Sequence, residues 1–170
     1  MKIRRATYDD IPAMLEITKD AVAYLASQGV PQWQDGYPNE AVFRDDIKSG
    51  ISYIIEDDGK AAAMTAVSFE GDGCYKDIVG KWLNDEPYGV IHRCAVSDEY
   101  RGRGCGDMIF LEAERMCRER GIRNLRADTH ADNRVMRNLF LKHGFVLCGT
   151  VVVETASSDR LRDAYHKLLD

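Results

Sequence analysis

The chain has 170 residues and a net charge of −5, with 45% apolar and 30% charged residues, a balance that excludes a disordered polymer and gives no general attraction to nucleic acid or an anionic membrane. Its five cysteines are scattered without a Cys-x-x-Cys pair, which argues against a disulfide framework or a metal site. No apolar run follows the basic start and none approaches ~20 residues, so the expectation is a single cytoplasmic domain over residues 1–170.

Lys2 to Arg5 reads as a first strand, and Thr7 and Asp10 have capping-box spacing before a helix. That helix carries Ile11, Met14, Leu15, Thr18, Ala21, Val22 and Leu25 on one face and ends at Gly29. The connector from Gln28 to Pro38 places two aromatics, Trp33 and Tyr37, in a Pro/Gly-rich loop. Loops of this kind carry function. Trp33 is either a plug over the core or a wall of a binding site. Asn39 then caps a short helix with Val42, Phe43 and Ile47 inward.

Ile51 to Glu56 and Ala61 to Phe69 are strands around an Asp-Asp-Gly-Lys turn. Tyr75 to Leu83 reads as a short helix. Val90 to Val96 is the next strand, with Val90, His92, Cys94 and Val96 expected on one face. Three alternate glycines follow, Gly102, Gly104 and Gly106, interleaved with Arg101, Arg103 and Cys105 and opening directly into an amphipathic helix that runs to about Arg120. Glycines let successive N–H groups turn toward one point, and a helix N-terminus adds free donors and a positive dipole end. The pattern suits a phosphate or pyrophosphate, although a bare strand-to-helix turn has the same composition. It lacks Walker and dinucleotide spacing, which argues against an unrelated nucleotide-phosphate binder. A strand over 123–129, a helix over 132–143 and strands over 146–154 and 161–169 complete the chain, with a loop over 156–160 between the last two.

Arg101-Gly-Arg-Gly-Cys-Gly106, preceded by Val96-Ser-Asp-Glu-Tyr100, resembles the acyl-CoA motif of the GCN5-related N-acetyltransferase (GNAT) superfamily. The block from Asn133 to Phe145, ending Lys142-His-Gly-Phe145, is similar to its downstream helix. The element order gives an α/β (α+β) fold, a mixed and mainly antiparallel sheet flanked by helices, and the resemblance implies the same. It further implies acetyl-CoA as cosubstrate, held by Cys94, Ala95 and Val96 along the arm and thioester and by Arg101 to Gly106 at the pyrophosphate. Phe140 also lines that site. Asn133 matches a position that contacts the cofactor arm; a helix N-cap is the alternative reading.

The implied activity is acetyl transfer to a primary amine, on a small molecule or a peptide, by direct attack in a ternary complex. The resemblance places Trp33 and Tyr37 in the acceptor site and His92 as general base, a role suited to a group that titrates near neutral pH. Alternatively His92 is a satisfied structural histidine. Phe140 stands where the family often has a tyrosine that protonates the departing thiolate. That departure keeps open a non-catalytic acyl-CoA-binding module of the same fold. Cys94 reads as an inert thiol, and edge strands near the C-terminus permit a homodimer.

Overall fold

The computed structural model describes residues 1–155 and 159–170, so most of the loop expected at 156–160 lies outside the described residues. The order is β1 (Lys2–Arg5), α1 (Ile11–Ser27), α2 (Glu40–Lys48), β2 (Ser52–Asp57), β3 (Lys60–Ser68), β4 (Val79–Gly80), β5 (Gly89–Val96), α3 (Cys105–Glu119), β6 (Asn124–Thr129), α4 (Arg134–Lys142), β7 (Val146–Val152) and β8 (Leu161–Leu168). They form an eight-stranded sheet in the order β1-β2-β3-β5-β6-β8-β7-β4. Among the described residues only β5 and β6 pair in parallel; the other pairings are antiparallel. This is the α/β arrangement expected from the sequence.

Local chemistry accounts for the element ends. Asp10 accepts a bond from the Thr7 N–H at 2.7 Å, closing the capping box before α1. Asn39 accepts from the Val42 N–H at 3.2 Å and caps α2. Between β2 and β3, Asp58 and Gly59 both take positive φ, as a tight hairpin turn requires.

The helices cover both faces of the sheet. α1 and α2 bury Ile11, Met14, Ile17 and Phe43 against Ile54, Met64 and Ala95. On the other face, Ile109 and Phe110 of α3 and Phe140 of α4 pack with Ile55, Val67, Ile91, Phe145 and Tyr165.

The short helix expected over 75–83 is a 3-10 turn, Gly73–Asp77, followed by β4. Asp72 caps the turn by accepting from the Cys74 N–H at 2.8 Å. Beyond it the chain extends, and Trp82 folds back so that its indole N–H reaches the Tyr75 carbonyl at 2.9 Å. Burying both aromatics against Val90, Val151 and Ala164 outweighs the weak helical preference of the segment.

Two irregularities of β5 create the site. Its pairing with β6 stops after Gly89↔Leu125 and Val90↔Arg126, so the two strands part from Ile91 onward. Opposite β3, the register runs from Ala66↔His92 to Met64↔Ala95. Arg93 and Cys94 together oppose Thr65: this is a β-bulge, and Arg93 takes φ +52 within it. The bulge inverts the alternation. His92 shares a face with Ala95, while Cys94 and Val96 turn toward the cluster under α3. The expectation that His92 and Cys94 share a face is therefore corrected.

Candidate active site

Where β5 and β6 part, a cavity of about 860 Å³ runs through the sheet. Its wall includes Trp33, Tyr37, His92, Cys94, Ala95, Val96, Arg101, Gly102, Gly104, Cys105, Gly106, Asn133 and Phe140. Every site residue expected from the sequence except Arg103 thus comes to one space. The Arg103 guanidinium instead lies over the Tyr100 ring, 4.7 Å from its centroid, and 3.9 Å from Asp57.

One end of the cavity is a main-chain cradle. Gly102 and Gly104 have φ of +73° and +84°, and a Cβ built on either would stand in open space. That space is where a ligand's oxygens can approach the backbone. The first-turn N–H groups of α3 have no intrahelical acceptors and carry the positive end of its dipole. Two donors are withdrawn: the Arg101 N–H reaches Asp98 O at 3.4 Å and the Arg103 N–H reaches Tyr100 O at 3.2 Å. The six consecutive donors expected from the motif therefore reduce to a smaller set around Gly102, Gly104 and the start of α3. The Arg101 side chain stacks on Tyr24 at 4.0 Å, donates to Asp20 O at 3.1 Å and stays on the wall. Between cradle and far end, the edge of β5 facing β6 is free of ladder partners, so its peptide groups are open to an extended ligand. These features fit the pyrophosphate and amide-bearing arm of CoA.

Asn133 serves as a helix cap, accepting from the Met136 N–H at 3.3 Å, while its Nδ2 donates to Gln32 Oε1 at 3.3 Å. Phe140 is 2% exposed, and its ring centroid stands 4.8 Å from Tyr165. Burial pushes the Cys94 thiol up to about 12, so it is inert as a nucleophile at neutral pH.

The other end is built from side chains. Asp72, Asp128, Asp35 and Glu154 line it together with His92 and Arg93. Tyr75, wholly buried, donates its hydroxyl to Asp128 Oδ1 at 2.7 Å. Burial raises the Asp128 carboxyl, the Tyr75 bond opposes that, and Asp72 adds to it. His92 Nε2 lies 3.6 Å from Asp72 Oδ2. Burial, then the Arg93 charge, lower His92 to about 4 against a partial offset from Asp72, so its ring is neutral at pH 7. Arg93 itself makes a two-pronged pair with Asp46 of α2, both contacts 2.7 Å, and donates to the Tyr37 hydroxyl at 2.9 Å.

Asp72, Asp128 and Arg93 were not singled out from the sequence. The available signal was an arginine inside the largely apolar strand β5, Arg93; such a residue is rarely buried without a partner or a task. Asp128 lies in a strand that already carries Asn124, Arg126 and Thr129 and did not stand out. Asp72 sits in a loop and carried no signal. Among the described residues no helix is long and apolar enough to cross a membrane.

A sequence model described as the acetyltransferase (GNAT) family matches residues 15–145. A GNAT-family acetyltransferase structure from Streptococcus agalactiae is 34% identical, covers 99% of this chain and 95% of its own, and superposes with a TM-score of 0.86. A Salmonella typhimurium protein, YncA, a provisional acetyltransferase solved with its cofactor acetyl-CoA, shares the fold at 16% identity, with coverage of 100% and 94% and a TM-score of 0.71. A Bacillus subtilis protein provisionally named as a ribosomal protein bS18-alanine N-acetyltransferase is 29% identical over 75 residues, 44% of this chain. The match spans about half of that curated relative, 49% of its length.

Proposed function

This chain belongs to the GNAT acetyltransferase family, and from that premise we propose that it transfers an acetyl group from acetyl-CoA to a primary amine by direct attack in a ternary complex. The observation that carries this reading is one continuous cavity joining an anion cradle, an open strand edge and a carboxylate-lined end. Bound along it, acetyl-CoA supplies the activated acetyl thioester. Gly102, Gly104, Cys105 and Gly106 hold the pyrophosphate with main-chain donors, and Arg101 adds charge. The open edge at Cys94, Ala95 and Val96 receives the amide-bearing arm, and Phe140 closes its apolar side. Trp33 and Tyr37 wall the acceptor.

The remaining work is proton removal. An alkylammonium with a pKa of about 10.4 costs about 4.6 kcal/mol to deprotonate at pH 7, at ~1.36 kcal/mol per unit. A positioned base contributes about 10²–10⁴-fold. His92 is placed to accept that proton, but a ring lowered to about 4 holds it weakly. We place the base at Asp128, whose carboxyl is raised by burial and oriented by the Tyr75 hydroxyl, with neutral His92 lining the same end of the cavity. Carboxylates around the amine also favour delivery of a cation to this end.

The test is thiol release from acetyl-CoA against a panel of small amines and of peptides, including N-terminal alanine peptides because of the Bacillus subtilis relative's name. Amine-dependent release is expected. Asp128→Asn should then lower kcat about 100-fold, and His92→Gln about tenfold, with acetyl-CoA KM little changed. A larger loss for His92→Gln returns the base to the histidine. One observation favours a second reading: Phe140 has no hydroxyl to protonate a departing thiolate. Calorimetric CoA binding without thiol release for any acceptor would identify a binding module of the same fold.

A further inference from the structure

Residues 30–38 connect α1 to α2 across the opening between β5 and β6; Gln34 ties them back to α1 at Val22 O, and three further contacts reach the cavity wall. The Tyr37 hydroxyl accepts from Arg93, whose guanidinium is itself locked by Asp46. Asp35 accepts from the Thr155 hydroxyl beyond β7. The third contact is of another kind. Gln32 Oε1 receives three donors: the Thr129 hydroxyl at 3.2 Å, the His130 N–H at 3.2 Å and Asn133 Nδ2 at 3.3 Å.

An amide oxygen has two lone pairs, yet three donors share it. All three bonds lie at or beyond the long end of their ranges, about 3.2 Å for N–H···O and about 3.0 Å for O–H···O. Donors from the end of β6 and the start of α4 therefore converge on one point that Gln32 fills loosely. Thr129, Asn133 and Gln32 all face the cavity. An amide-bearing arm laid along the open edge of β5 carries carbonyl oxygens of the same chemistry as the Gln32 amide oxygen, and one of them can take its place on these donors.

We propose that Gln32 is a positioning residue: its amide oxygen stands in for a carbonyl of the cofactor arm, and cofactor entry displaces it and resets the loop that carries Trp33 and Tyr37. A donor taken by the cofactor carbonyl is lost to Gln32, whose hold on the loop is thereby released, so the acceptor wall takes its working position only after the cofactor is in place. Trp33 follows Gln32 directly and is held at φ +65, a conformation that is unfavourable for a bulky side chain. The inference rests on acetyl-CoA occupying the cavity as proposed above.

The test is CoA titration followed by calorimetry and by tryptophan fluorescence; the chain has two tryptophans, Trp33 and Trp82. In the unaltered protein CoA should change the emission with the calorimetric Kd, and Trp33→Phe should abolish that change. Gln32→Met removes the competing oxygen and should tighten CoA about threefold while losing the Trp33 response. A merely structural glutamine would give unchanged or weaker binding, and that result overturns the proposal. Gln32→Glu supplies a charged, stronger acceptor and should weaken CoA about tenfold. This opposite sign carries the test if Gln32→Met does not fold, and unweakened binding by Gln32→Glu overturns the proposal. CoA binding with a silent Trp33, or a change that persists in Trp33→Phe, overturns the coupling alone. No calorimetric binding to the unaltered protein overturns both this inference and the proposed function.

Discussion

At the glycine-turn end of the cavity the surface offered to a ligand is main chain from one stretch, Gly102 to the first turn of α3. At the other end it is side chain, gathered from the 30–38 loop, the 71–88 connection, β5 and β6. The first end should accept exchange of side chains that point elsewhere, as Arg103 does, but not the addition of a Cβ at Gly104, which would enter the space before the turn. The second depends on single groups whose charge is set by neighbours distant in sequence, as Asp72 acts on both His92 and Asp128. Recognition built from backbone is robust to drift, whereas recognition built from side chains can be retuned residue by residue.

The strongest way to break this contrast is Gly104→Val. It places a branched side chain in the space before the cradle and forces it into a left-handed conformation. CoA affinity should fall about 100-fold by calorimetry, with a thermal shift reflecting about 1–2 kcal/mol of backbone strain. Unchanged affinity in the folded variant would remove the cradle from the cofactor site.

At the side-chain end, Trp33→Ala should raise the acceptor KM about tenfold while leaving the acetyl-CoA KM within about twofold. Trp33 also packs on the cluster under α1 and α2, so a drop in melting temperature with both KM values unchanged would make it a plug.

A third prediction concerns pH. Burial first, then Arg126, lower His166 to about 4, and His92 is lowered similarly. Both stay neutral in the folded protein down to that range, while the unfolded chain takes up protons below its pKa of about 6.5. Stability is therefore full above about pH 6.5 and is lost as pH falls toward 4. Each group contributes up to about 3 kcal/mol, at ~1.36 kcal/mol per unit. Melting curves should show the slope, and His166→Asn should flatten it. A melting temperature constant from pH 7 to 4 would contradict the burial argument.

The smallest effect sharpens the comparison instead of breaking it. Tyr37→Phe removes the hydroxyl that accepts from Arg93 and should cost about 0.5–1.5 kcal/mol. That is a shift of roughly 2–4 °C per kcal/mol for a chain of this size. Asp46→Asn should cost more, because Arg93 then loses an ionised partner inside the fold. Equal effects would mean that Asp46 and Tyr37 hold the guanidinium interchangeably.

Legibility followed the same division. The glycine turn, the helix after it and the Asn39 cap were readable because each is a local arrangement whose partners lie within a few residues. Asn133 shows the limit of that kind of reading: cap and cofactor contact were equally consistent with its position, and the structure assigns its Oδ1 to the cap and its Nδ2 to Gln32. The helix expected over 75–83 failed because Tyr75 and Trp82 are drawn into a cluster with Val90, Val151 and Ala164, which no local pattern contains.

The sequence alone determined the order of the main elements, the mixed sheet flanked by helices and the position of the glycine turn before α3. Hydrophobic period, caps and glycine spacing act over one or two turns of chain, and they are written contiguously. Only the tertiary structure decided where β5 leaves β6, that Arg93 would bulge and set His92 and Cys94 on opposite faces, and that β4 would exist at all. That two-residue strand depends on Gly80 lying against Gly149, where a Cβ on either would stand under 2.5 Å from the opposing backbone. These features arise from pairing between segments far apart in the chain, where register, burial and neighbouring charge are settled together and no single stretch carries the answer.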